Sequence, residues 1–224
     1  MNKFYYLILL VTTISCISNR NDQNTFIDYV KAPINDFSII REYKLENNTL
    51  DASVFSQQYL KKINDTTYEL KYIWKRSDLI LINKGVEKYY SNNYGEIISQ
   101  SFFEIDSMNK VSEVNAEFLS QTTFGLSNHT NEIDMQYKFK NDSNLTMLIH
   151  SEVNFKISEA DTLGILNKKC LVVKSEDTIT LKYSDEREDI ITISKGIRYY
   201  EKGKGLIFFA QNDGNSNMFY RLKE

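Results

Sequence analysis

Between residues 67 and 76 the chain reads Thr-Tyr-Glu-Leu-Lys-Tyr-Ile-Trp-Lys-Arg. Tyr68, Leu70, Tyr72 and Trp74 therefore fall on one face of an extended chain, with Glu69, Lys71, Ile73 and Lys75 on the other. This period of two marks a strand with one covered face, because a helix would scatter the same residues around its axis. Ile133, Met135, Tyr137 and Phe139 repeat the pattern against Asp134, Gln136, Lys138 and Lys140. Asn141-Asp-Ser-Asn144 then supplies turn chemistry before the apolar run 145–157, so these two runs predict a hairpin.

Strand-like runs continue at 37–45, 79–83, 86–90, 96–105, 110–119, 169–174, 178–183, 189–194, 196–200, 205–210 and 217–222. Turn residues separate them at Lys84-Gly85, Asn92-Asn93, Ser107-Met-Asn109, Ser184-Asp185, Lys195-Gly196 and Asn212-Asp-Gly-Asn215. In 50–63, Leu50, Val54, Tyr59, Leu60 and Ile63 fit a helix only loosely, and the stretch reads mostly as strand. Turn signals about every 8 to 12 residues predict an antiparallel meander or barrel-like sheet. With no Pro-, Gly- or Ser-rich linker and no internal repeat after residue 37, the span 37–224 reads as one mainly β domain.

The N-terminus has a different grammar. Lys3 precedes a largely apolar run from Phe4 to Ile14, then Ser15 and Cys16, the layout of an export signal. A spanning helix needs roughly 20 apolar residues, so this run is too short for one. Thr13-Ile14-Ser15-Cys16 resembles the lipobox of bacterial lipoproteins, with Thr13 where Leu is usual. That resemblance implies removal of residues 1–15 and lipidation of Cys16. The polar stretch beginning at Ile17 then makes 16–36 the lipidated cysteine and its tether. Two or more acyl chains hold a protein stably on a membrane without any spanning helix. The expected address is the cell envelope, on the periplasmic or surface side of the outer membrane.

Composition removes several functions. With 27 basic against 30 acidic residues there is no electrostatic footprint for nucleic acid. Two Cys make neither a disulfide scaffold nor a Cys-based zinc site. With Cys16 acylated, Cys170 is left in the apolar run Lys169-Cys170-Leu171-Val172-Val173, where a buried, inert thiol is expected. His129 and His150 lack ligand spacing, and no Gly-x-Ser-x-Gly elbow is present, so both read as structural histidines. Gly203-Lys204-Gly205 lacks the spacing and the Lys-Ser/Thr of a phosphate loop and reads as a turn needing positive φ. The acidic runs 185–189 and 159–161 read as solvated turns. No catalytic residue, metal site or cofactor is expected, and the chain is read as a non-enzyme.

The run from Lys169 through Ile191-Thr-Ile193 and Ile197-Arg-Tyr-Tyr200-Glu201-Lys202-Gly203-Lys204-Gly205-Leu206-Ile207-Phe208-Phe209 to Phe219-Tyr220-Arg221-Leu222 resembles a recurring ending of Bacteroidota envelope proteins. Glu201 and Lys204 depart from its usual Ala-Lys-Gly-Val-Gly-Leu-Val. Proteins with this ending are similar to half-barrel lipoprotein carriers and mycobacterial lipid-binding lipoproteins. The resemblance implies a strongly curved antiparallel sheet, a half-barrel or open barrel with few short helices. Four Asp-Ser/Thr-x sequences resemble the O-glycosylation acceptor of exported Bacteroidota proteins, with Thr66, Ser107, Thr162 and Thr178 as candidate acceptors at or beside predicted turns.

Tyr89-Tyr90, Phe102-Phe103, Tyr199-Tyr200 and Phe208-Phe209 put a ring on each face of a strand. Either both faces are covered, or one lines a groove. The expected function is a lipid-anchored module holding a lipid, an acyl chain or a peptide in its curved sheet. The alternative is a structural lipoprotein of an envelope assembly, with protein partners and no small-molecule ligand.

Overall fold

The structure is a computed structural model that describes residues 26–30, 39–45, 53–77, 81–105, 108, 110–126, 130–158, 169–212 and 217–223. After a single helical turn, α1 (Phe26–Val30), come β1 (Ile39–Leu45), β2 (Ser53–Asn64), β3 (Thr67–Arg76), β4 (Leu81–Tyr90) and β5 (Tyr94–Ile105). Three short strands follow, β6 (Val111–Asn115), β7 (Glu117–Phe118) and β8 (Thr123–Gly125). Six more complete the sheet: β9 (Asn131–Lys138), β10 (Leu145–Ser158), β11 (Cys170–Tyr183), β12 (Ile190–Glu201), β13 (Gly205–Asn212) and β14 (Asn217–Leu222).

All pair antiparallel in one sheet of order β6-β5-β4-β3-β2-β1-β14-β13-β12-β11-β10-β9-β7, with β8 on β5. The first and last strands meet in its middle, where Tyr43 pairs with Leu222. The sheet curves until its two ends, β5 and β9, are bridged by one segment. β6 pairs with β5, the Ala116 N–H donates to the Gln100 carbonyl, and β7 then crosses to β9. The chain returns to β5 at β8, where the Ile97 N–H donates to the Thr122 carbonyl. Residues 111–126 therefore lace a nearly closed barrel along its seam, which leaves few of the unpaired edge groups that invite aggregation.

The alternation sets what faces inward. Tyr68 and Tyr72 pack on an inner cluster of Ile27, Tyr29, Val30, Leu60, Leu70, Tyr89, Phe124, Leu171 and Val173. At the seam, Val114, Ile133, Met135 and Tyr137 form a second cluster, with Phe102 5.0 Å from Tyr137 across the joint. A third cluster, Cys170, Val172, Tyr199, Ile207 and Phe208, takes the alternate residues of β11 and β12. β13 is thus packed on both faces, as its apolar sequence predicts. Cys170 is buried, 2% exposed.

Three expected turns are absent. Lys84-Gly85, Lys195-Gly196 and the break at 175–177 all lie inside continuous strands, β4, β12 and β11. The two glycines serve a neighbour instead of a bend. A Cβ on Gly85 would stand 2.4 Å from the Tyr72 hydroxyl, and one on Gly196 would stand 2.7 Å from Ser175 Oγ. Tyr72 and Ser175 are their cross-strand partners, so each glycine marks a close approach.

The 16–36 tether also contains a packed segment. Ile27, Tyr29 and Val30 are buried, and the Gly203 N–H donates to the Asp28 carbonyl at 2.8 Å. Tyr29, 1% exposed, is the main hold on this turn. Burying a side chain of that size contributes about 2 kcal/mol, whereas an exposed pair such as Lys202–Asp28, at 3.9 Å, contributes less than about 1 kcal/mol.

Candidate functional site

The inward residues of β2–β5 and β11–β14 enclose a cavity of about 330 Å³, which Val30 of α1 also lines. Its wall is mixed, with Val54, Leu70, Trp74, Ile82, Phe209 and Met218 among the apolar lining residues. Glu87, Arg198, Asp177, Tyr72, Tyr89 and Tyr200 line it, with Gln58, Gln100, Ser175 and Ser194 between them. The strand periods explain how they converge. Gly85, Glu87 and Tyr89 alternate on the inner face of β4, and Ser194, Gly196, Arg198 and Tyr200 on that of β12. The bare backbone at Gly85 lets the Tyr72 ring lie across β4 toward Glu87.

Glu87 accepts hydrogen bonds from the hydroxyls of Tyr89 and Tyr72. Burial raises its pKa above the ordinary 4.5, and those hydrogen bonds together with the field of Arg198 offset only part of the rise. Burial likewise holds the Tyr72 and Tyr89 phenols well above their usual pKa, and the neighbouring carboxylate adds to it. Arg198 keeps a large accessible surface and lines the cavity. Burial acts to lower its pKa, but the attraction of Tyr200, Asp177, Glu87 and Tyr72 outweighs it and keeps the guanidinium charged. It donates to the Tyr200 oxygen, and no carboxylate among the described residues lies within 4.0 Å of it.

Beside this cluster the lumen is aromatic, with Phe209 the cross-strand partner of Arg198. Tyr43, Trp74 and Phe209 form a triangle with centroids 5.3 to 5.6 Å apart, and Phe209 stacks on Tyr220 at 4.6 Å. Below them, the buried Arg41 donates to the carbonyls of Leu206 and Lys204, and the Tyr43 hydroxyl donates to that of Leu206. These bonds pin the turn before β13, in which Gly203 and Gly205 have φ of 75° and 76°. The expected left-handed glycines are therefore present. In the other turn, Asn93 takes φ 65°, not Gly95, which lies in β5 beneath the Phe124 ring.

His150 Nδ1 lies 2.7 Å from Asp134 Oδ1, its cross-strand partner on the outer face, and that hydrogen bond raises its pKa. It is a satisfied surface histidine. Among the described residues no group of three His, Cys, Asp or Glu could hold a metal. Thr66 sits in the exposed β2–β3 turn, with its hydroxyl on Asn64 Oδ1 at 3.0 Å. Thr178 does not lie at a turn; it is half-buried in the middle of β11, opposite His150 and Ile193. Cys16, Ser107, Thr162 and His129 lie outside the described residues.

Neither family models nor curated proteins match the chain. Two solved structures are similar in shape. One is a "putative lipoprotein" from Parabacteroides distasonis ATCC 8503, 14% identical, with a TM-score of 0.48 over 90% of this chain and 100% of that one. The other is a "putative exported protein with YmcC-like fold" from Bacteroides fragilis NCTC 9343, 11% identical, with a TM-score of 0.45 over 88% of this chain and 100% of that one.

Proposed function

We propose that this chain is an exported envelope lipoprotein, anchored through Cys16, whose barrel is a non-enzymatic binding module for a small polar molecule held in the lumen. The observation that carries the reading is the Glu87–Arg198–tyrosine cluster that lines the cavity. The barrel needs no such cluster to fold, since well-packed apolar residues would hold it at least as well. Clustered, perturbed ionisable groups in a cavity are the usual mark of a site. The same wall disfavours the lipid or acyl chain that the sequence suggests, since a chain of methylenes would leave these polar groups unpaired.

Native mass spectrometry of the full chain, purified from its own host in a non-ionic detergent, tests this. A stoichiometric, polar, co-purifying mass of sugar or amino-acid size is the expected result. Protein that carries only its N-terminal acyl chains, from every growth condition, would favour the structural-lipoprotein alternative.

A further inference from the structure

We infer that the luminal ligand carries an oxyanion, a carboxylate or a phosphoryl group, seated on the Arg198 guanidinium, on a compact body with hydrogen-bond donors. This deepens the proposed function and rests on it.

A guanidinium presents five N–H donors in a rigid fork. Inside this barrel Tyr200 takes part of that capacity, and no carboxylate stands within ion-pair distance. Of the two carboxylates whose field reaches it, Asp177 and Glu87, the second is committed to tyrosine hydroxyls. A charged fork that lines open volume and has no carboxylate partner among the described residues can take one planar acceptor, and a carboxylate or phosphoryl oxygen pair matches it bidentately.

The rest of the wall restricts what carries the oxyanion. About 330 Å³ is room for roughly eleven waters, or a body of about a dozen non-hydrogen atoms. Asp177 and Gln100 line the same volume as acceptors without a protein donor. They suit hydroxyl or amino groups on the ligand and repel a bare hydrocarbon. Ser175 and Gly196 face each other across β11 and β12 between Arg198 and Asp177, and their small size leaves the space a ligand would occupy. A fatty acid has the right head and the wrong body.

The test follows the Arg198 Nε–H signal by nuclear magnetic resonance in the full chain in non-ionic detergent. The signal is assigned by its absence in Arg198→Lys. Sodium acetate, sodium phosphate and glucose are titrated separately against sodium chloride at matched ionic strength. A saturable shift with acetate, with phosphate or with both supports the inference and tells the two oxyanions apart. Arg198→Gln should weaken the response of the neighbouring Tyr200 signal at least tenfold, with no loss of the thermal transition. If Arg198→Gln does not fold, the parent titration alone decides. No saturable shift beyond that of chloride overturns the inference. A neutral molecule in the lumen of host-purified protein, beside an unresponsive Arg198, would overturn it and leave the proposed function standing.

Discussion

At the scale of single residues, the lumen depends on what is missing as much as on what is present. Glu87 is in phase with Tyr89 within the run 86–90, and Arg198 with Gly196 and Tyr200 within 196–200, so a charge in phase with large rings is legible in the sequence. What the sequence conceals is that β4 and β12 run on through Gly85 and Gly196, because close approach and turning leave the same letter. Gly203 and Gly205 were legible because flanking strands and a Lys-Gly-Lys-Gly run leave only a turn. Gly203→Ala should cost about 1 kcal/mol in urea unfolding, from left-handed strain alone, since open space surrounds its Cβ position. Gly95→Ala should cost more, about 1–3 kcal/mol, because its Cβ would stand 2.3 Å from the buried Phe124 ring. Equal losses at the two sites would contradict this ordering.

Glu87 gives a prediction in pH. Its folded pKa lies above the ordinary 4.5, so the native state holds this proton more tightly than the unfolded chain does. Its contribution is fully present below the unfolded value and is lost as pH rises through the raised folded value. Glu87→Gln should therefore gain stability relative to the parent between pH 4 and pH 7, whatever its offset at pH 4. A stability difference that stays constant across that range would show that Glu87 ionises as freely as an exposed glutamate.

At the scale of elements, the hairpins were readable and the seam was not. β9 and β10 pair as their alternation and the Asn141–Asn144 turn require, with Ile149 opposite Met135. In the lacing segment 111–126 the run 110–119 is legible as strand, but its break into β6 and β7 and the return at β8 are not, because strands of two and three residues are too short to show a period. Its importance is positional. Glu104, at the end of β5, reaches across the seam, where its Oε1 accepts from the backbone N–H groups of Lys140 and Asn141, each at 3.0 Å. Glu104→Ala would leave those two amides without their partner, at a cost of about 1–3 kcal/mol. The loss should appear as faster amide exchange along β6, β7 and β9, with β11–β13 unchanged. Uniform acceleration through the whole sheet would mean that the seam is not a separate weak line.

At the scale of the molecule, the proposed anchor at Cys16 and the barrel make separate predictions. The signal run, the lipobox-like Thr13–Cys16 and the polar stretch after it lie outside the described residues and are read from local sequence, as export machinery reads them. The barrel was legible as a strongly curved antiparallel sheet, while the pairings that nearly close it were not, since they join residues far apart in the chain. Among the described residues no helix is long and apolar enough to cross a membrane. Cys16→Ser should release the protein from host membranes while leaving its thermal transition intact. Substituted protein still bound after a high-salt wash would place the attachment elsewhere.

The central claim concerns the lumen, and a crystal structure of the protein extracted in non-ionic detergent from its own host, without stripping, tests it most directly. The account predicts continuous density for a compact molecule inside the barrel, with two oxygens within hydrogen-bond distance of the Arg198 guanidinium and its body between Ser175 and Gln100. Ordered waters alone around Arg198, or an acyl chain running through the lumen, would contradict it.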